Sequence, residues 1–153
     1  MASSAEFERD YQDAEVICRE GETSAEMFVI QSGRVRIFKQ SQRGRVELAM
    51  LERGNFFGEM SLLEGLPRDA SAESVGPTRV LVMNTGALLV RLRRDPTFAF
   101  ELLHRLSGRV RALNARLLEA LEKHKPGAAE EHSAGRAGTM MMYMPELRDD
   151  ASK

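Results

Sequence analysis

The sequence predicts a mainly β domain followed by α-helix, its strands paired antiparallel in a barrel or sandwich. Three observations carry this. From Glu15 to Met83 short apolar runs alternate with glycine-bearing turns. After Asn84 the apolar period lengthens from two to about 3.6 residues. Asp95-Pro96 then offers an N-cap and a proline at the first helical position, a strong helix start.

Val16 and Ile17 form the first run and Gly21 closes it, while Met27, Phe28, Val29 and Ile30 lead to a turn at Ser32-Gly33. Gly33 suits a tight hairpin position with positive φ. The next strand alternates, with Val35 and Ile37 on one face and Arg34, Arg36 and Phe38 on the other. A second hairpin is expected around Gly44, leading into Val46, Leu48 and Met50. Arg79 to Met83 is nearly all apolar and reads as a buried strand. Beyond Pro96, Phe98, Leu102, Leu106, Val110, Leu113, Leu117 and Leu121 form one helical stripe, which Lys125-Pro126-Gly127 ends. The following PGAAEEHSAGRAG is rich in Gly, Ala and charge and predicts disorder over 125–153.

At 153 residues and 42% apolar content the chain can bury one core and a tail beside it. Its 22 Lys and Arg balance 23 Asp and Glu, so no global field draws it to nucleic acid or anionic lipid, and any anion site must be local. The single cysteine, Cys18, excludes an intramolecular disulfide framework. No apolar stretch approaches the roughly 20 residues that span a bilayer, and MASSAEFERD has no signal-peptide pattern. The expectation is a cytoplasmic protein without a membrane segment. His104, His124 and His132 fall in or after the helical region and not on strands, so no metal site is expected. The same absence argues against a metal-dependent cupin enzyme of similar barrel shape. No nucleophile-base pair or phosphate-gripping GxxxxGK loop occurs either, so no catalysis and no cofactor are expected.

The chemistry concentrates in FGEMSLLEGLPRDASA, Phe57 to Ala72, just after a turn at Gly54-Asn55. A glycine and an acidic residue open a short helical turn, Met60 to Leu63, which Gly65 to Pro67 stop; Arg68 then enters a strand. Backbone N–H groups at Gly58, Met60 and Ser61 offer donors to an anion. The Arg68 guanidinium adds a bidentate phosphate partner. Glu59 would repel a phosphate but can accept from a sugar hydroxyl. One cation, one carboxylate and a row of amides describe a site for a ribose with one phosphate diester.

This segment resembles the phosphate-binding cassette of cyclic nucleotide-binding domains, which reads FGE, an apolar helical turn, then Pro-Arg and small residues. Gly21-Glu22, SGRVRIF (Ser32 to Phe38) and LERGNFFGE (Leu51 to Glu59) extend the resemblance over about residues 10–124. It implies an antiparallel β-barrel of the double-stranded β-helix or jelly-roll kind with flanking helices: a helical lead-in over 1–13 and a nucleotide-binding domain over 14–124, divided into barrel 14–85 and helices 86–124. It also implies ligand contacts at Phe57, Gly58, Glu59, Met60, Ser61, Pro67, Arg68, Asp69 and Ala70, with Glu59 on the ribose 2′-hydroxyl and Arg68 on the cyclic phosphate. The expected ligand is cyclic AMP, or cyclic GMP. Asp69 departs from the family's Ser, Thr or Ala: it lowers affinity beside the phosphate, points outward, or accepts from the guanine amine. An internal salt bridge of Arg68 with Asp69 or Glu59 would instead leave a degenerate fold acting as an interaction module without ligand.

In dimeric bacterial regulators that the chain resembles, the long helix pairs with its twin and its polar residues cap the purine. Leu106, Val110, Leu113, Leu117 and Ala120 approximate a heptad seam for a homodimer through 96–124, though the same stripe can equally pack on its own barrel. Asn114 lies near the purine-contacting place, or is simply an exposed helix residue. Residues 126–153 hold no second periodic segment and no basic cluster, so DNA binding is not expected. A stand-alone cyclic nucleotide-binding regulatory protein that signals through an unidentified protein partner is the resulting expectation. TMMMYMPEL, Thr139 to Leu147, is a possible docking peptide or an inert tail.

Overall fold

The computed structural model describes residues 6–124. Six strands, β1 Glu6–Tyr11, β2 Val16–Cys18, β3 Glu26–Ser41, β4 Gly44–Glu52, β5 Phe56–Phe57 and β6 Ser71–Asn84, are joined by three helices, α1 Glu59–Glu64, α2 Thr85–Arg94 and α3 Pro96–Lys123. The strands form one antiparallel sheet whose order is β1-β6-β3-β4, with β2 also on β6 and β5 on β3. The expected jelly-roll β content and C-terminal helices are present, but the sheet does not close into a barrel. Alternating apolar runs specify a pleated half-buried surface; closure depends on tilt and register, which they do not encode.

The helical lead-in expected over 1–13 is also corrected where the structure describes it. Glu6 to Tyr11 is an edge strand paired with Thr78 to Met83. Only Tyr11 in it is buried, and Asp10 pairs with Arg79 at 2.7 Å across the edge, so its sequence lacks an apolar alternation to announce it. Charged residues on an edge strand discourage pairing with other chains. The expected disordered tail over 125–153 lies outside the described residues, as does its Met-rich island.

Gly33 does not turn a hairpin. It sits within the 16-residue β3, at φ 85°, between register shifts that bracket Ser32. A Cβ there would run into the Pro77 carbonyl and the Thr78 side chain, so glycine serves a bulge and a close strand approach. The Gly44 hairpin forms as expected, Ser41 opposite Gly44.

Neighbouring residues on the central strands feed opposite faces. Phe28, Phe57 and Val82 enter a core with Ile30, Val35 and Val80, whereas Met27, Phe56 and Met83 meet Leu62, Leu88 and Leu102 from the helices. Burial on both faces explains the nearly continuous apolar run before Asn84. Asn84 then caps α2 by accepting from the Ala87 N–H at 2.9 Å, and Asp95 caps α3 through the Phe98 N–H at 3.0 Å. Residues up to Asn114 form one compact unit. The described residues beyond it, Ala115 to His124, are exposed final turns of α3 and its end.

Candidate functional site

β5 delivers Phe57 into the inner core, where it stacks on Phe28 with ring centroids 4.9 Å apart. Gly58, the N-cap of α1, then adopts φ 82°. A Cβ on it would lie 2.6 Å from Arg68 Nη1 and 2.9 Å from the Glu26 carbonyl, so glycine is required for the arginine to approach. Glu59 follows as the first residue of α1 and is 5% exposed.

Arg68 comes back to this point from the far side of α1. Its main chain is clamped to the β2–β3 connection, the N–H donating to Glu22 O and the carbonyl accepting from Gly21 N–H, both at 2.8 Å. The side chain is 4% exposed, donates from Nη1 to Gly58 O at 3.0 Å, and lies 5.4 Å over the Phe28 ring. Nε and Nη2 are buried without a hydrogen-bond partner. Two such donors on a buried cation are costly to leave unmet. Nearby, burial pushes the Cys18 thiol up, partly opposed by the Arg68 charge.

Glu59 has a partner that sequence reasoning missed. Arg109, on α3, donates from Nη1 to Glu59 Oε1 at 2.8 Å and from Nη2 to Phe56 O. One turn earlier Arg105 reaches the Asn55 side chain at 3.4 Å. A signal for both existed: they are cations beside the Phe98, Leu102, Leu106 stripe, which faces the protein body. Asp69 turns away, 68% exposed, to pair with Lys39 at 3.0 Å. The internal salt bridge between Arg68 and Asp69 or Glu59 is therefore absent: each carboxylate has another cation.

The structure thus brings Phe57, Gly58, Glu59 and Arg68 together. Ser61 is buried in α1, Ala70 is half-buried, and Met60 and Pro67 are exposed. Asn114 is exposed on α3. Among the described residues no cluster of three His, Cys, Asp or Glu could hold a metal, and no helix is long and apolar enough to cross a membrane.

The model of the cyclic nucleotide-binding domain family matches residues 8–95. The chain belongs to this family. It is 34% identical over 110 residues to the cyclic AMP receptor protein of Thermus thermophilus, covering 71% of this chain and 51% of that one. A cAMP-dependent protein kinase regulatory subunit from Mycosarcoma maydis is 34% identical over 84 residues, 52% of this chain and 16% of that protein. Among solved structures, the Thermus thermophilus catabolite activator protein superposes with a TM-score of 0.67 at 33% identity, over 76% of this chain and 55% of that chain. The chain spans about half the length of the Thermus relative or less of these curated proteins. A cyclic nucleotide-binding domain is a regulatory fold, and Glu59 and Arg68 lie within the matched residues.

Proposed function

We propose that this chain is a regulatory domain that binds a purine 3′,5′-cyclic monophosphate, cyclic AMP in preference to cyclic GMP, and acts through protein contacts. The observation that carries the reading is Arg68, a buried guanidinium with Nε and Nη2 unpartnered. A cyclic phosphate supplies the two acceptor oxygens that a guanidinium fork fits. Glu59 keeps lone pairs beyond its bond to Arg109 and takes the ribose 2′-hydroxyl. The relative named for cyclic AMP supports the base choice. Since Arg109 touches the ribose-binding carboxylate, occupancy is felt on α3, where a homodimer through 96–124 would carry it to a protein partner. A cytoplasmic location fits such a role.

Calorimetric titration with cyclic AMP, cyclic GMP and cyclic dinucleotides tests the reading. Saturable binding of cyclic AMP is expected. Glu59→Ala should weaken cyclic AMP and hardly change its 2′-deoxy analogue; equal losses would remove Glu59 from the sugar. One observation favours a second reading, an interaction module without ligand: Arg109 already neutralises Glu59. No heat with any nucleotide would establish it.

A further inference from the structure

We infer that the outward face of α2 is a docking surface for an acidic segment of a partner protein that also carries aliphatic side chains, received by Arg93 and Arg94 beside Leu89 and Val90. The inward side of this helix is accounted for: Ala87 and Leu88 are buried in the core and Leu92 packs against it. Arg91 is also placed, since its Nη1 donates to Glu6 Oε1 on β1 at 3.1 Å and its guanidinium lies 5.1 Å over the Phe98 ring. The outward side is not what a solvated helix presents. Leu89 is 50% and Val90 38% exposed, and one turn on, at i+4, stand Arg93 and Arg94. Neither arginine has a hydrogen bond or ion pair among the described residues, and α2 contains no acidic residue that could supply one. Cations at a helix C-terminus suit its dipole, but the dipole accounts for neither exposed apolar side chain.

These side chains form two parallel rows, Leu89 with Arg93 and Val90 with Arg94. Beside the second row β1 and α2 enclose a hollow of about 300 Å³ lined by Glu6, Ala87, Val90, Arg91 and Arg94. Such a volume is at the small end for a ligand pocket and suits the side chains of a docked segment. Charge decides the occupant. Glu6 cancels Arg91, so Arg93 and Arg94 are the uncompensated pair, and a guanidinium fork fits a carboxylate. A second copy of this chain would set the same cations against themselves across a two-fold contact, which repels. A nucleic acid strand would present phosphates but no aliphatic group for Leu89 and Val90, and Glu6 at the rim repels it. A peptide with carboxylates and an aliphatic side chain within a turn of each other satisfies both rows.

The inference rests on the protein contacts proposed above, to which it gives a place and a chemistry, and its test is separate from nucleotide binding because none of these residues lies in the cassette. Fluorescence anisotropy with the full chain follows a labelled Glu-Glu-Ala-Leu repeat peptide, its Gln-Gln-Ala-Leu counterpart and a labelled DNA duplex. Binding of the acidic peptide alone, weakening as salt is added, is the expected result. Arg93→Glu combined with Arg94→Glu should lower that affinity about tenfold or more. Leu89→Ser should lower it severalfold with both arginines kept. The thermal midpoint and the cyclic AMP titration of each variant should stay those of the parent. Equal binding of the Gln peptide, tighter binding of the duplex, no binding of the acidic peptide, or indifference to either set of substitutions would each overturn the surface. A parent that takes the acidic peptide but no cyclic nucleotide keeps the surface and sinks the nucleotide reading, and the reverse result sinks the surface alone.

Discussion

A guanidinium keeps its charge in any protein and carries five N–H donors, so burying one costs several kcal/mol unless its donors are met. Arg68 at 4% exposure has one protein hydrogen bond, to Gly58 O. Replacing it with methionine should therefore raise ligand-free stability by about 1 kcal/mol, read as a higher urea midpoint, while removing nucleotide binding in calorimetry. A lower midpoint with binding retained would show Arg68 to be structural. The neighbouring carboxylate behaves differently. Asp69 is 68% exposed and paired with Lys39, so its charge lies in solvent and away from the Arg68 fork. Asp69→Ser should alter cyclic nucleotide affinity by less than about 0.5 kcal/mol, the range of exposed ion pairs. A tenfold gain would place the carboxylate beside the phosphate after all.

At the scale of elements, the bulge at Gly33 and the charge cluster at Glu73 both help to pin the sheet. Gly33 holds φ 85° where β3 crosses the Pro77–Thr78 backbone. Gly33→Ala adds both left-handed strain and a clash with main chain, which should cost about 2 kcal/mol or more in chemical denaturation. Gly21 offers the comparison, since it has φ 84° but open space around it. Gly21→Ala should cost less. Glu73 ties three strands through Arg36, at 3.0 Å, and Arg45. Burial acts to raise its carboxyl, but hydrogen bonds from Arg45 and Arg36 and their charge outweigh it and hold it below the usual range. A carboxyl lowered on folding stabilises fully above its unfolded value, about 4.3, and loses that contribution as pH falls through the lowered folded value. The denaturation midpoint should thus fall as pH drops from about 4.3 to that lowered value, and Glu73→Gln should flatten the dependence. An unchanged slope would assign the acid loss to other groups.

For the whole molecule, binding to the native state alone adds about 2.7 kcal/mol of stability at 100 times Kd. Cyclic AMP should raise the thermal midpoint of the parent and leave that of Arg68→Met unmoved. A shift in both would place the nucleotide elsewhere. The residues that make this contrast possible were legible in the chain itself: Gly58, Glu59 and Arg68 are local, set by a glycine that permits a left-handed N-cap, a helical turn and a stop before the next strand. So were the Gly44 hairpin and the Asp95-Pro96 helix start, because turns and caps are short-range geometry. The strand of Glu6–Tyr11 was not legible, since its charged residues acquire their pairing only from the edge of β6. Gly33 declared its φ but not its use, because a bulge and a hairpin ask the same freedom of a glycine. Nor did spacing reveal that the Phe98 to Leu121 stripe divides, its first turns packing on the core and its later ones exposed. The sequence by itself determined the cassette and the change from strand to helix, both carried by neighbours within a few residues. Tertiary structure alone decided which carboxylate each arginine meets: Arg109 lies 50 residues from Glu59 and takes it, leaving Arg68 bonded to the Gly58 carbonyl with Nε and Nη2 unmet.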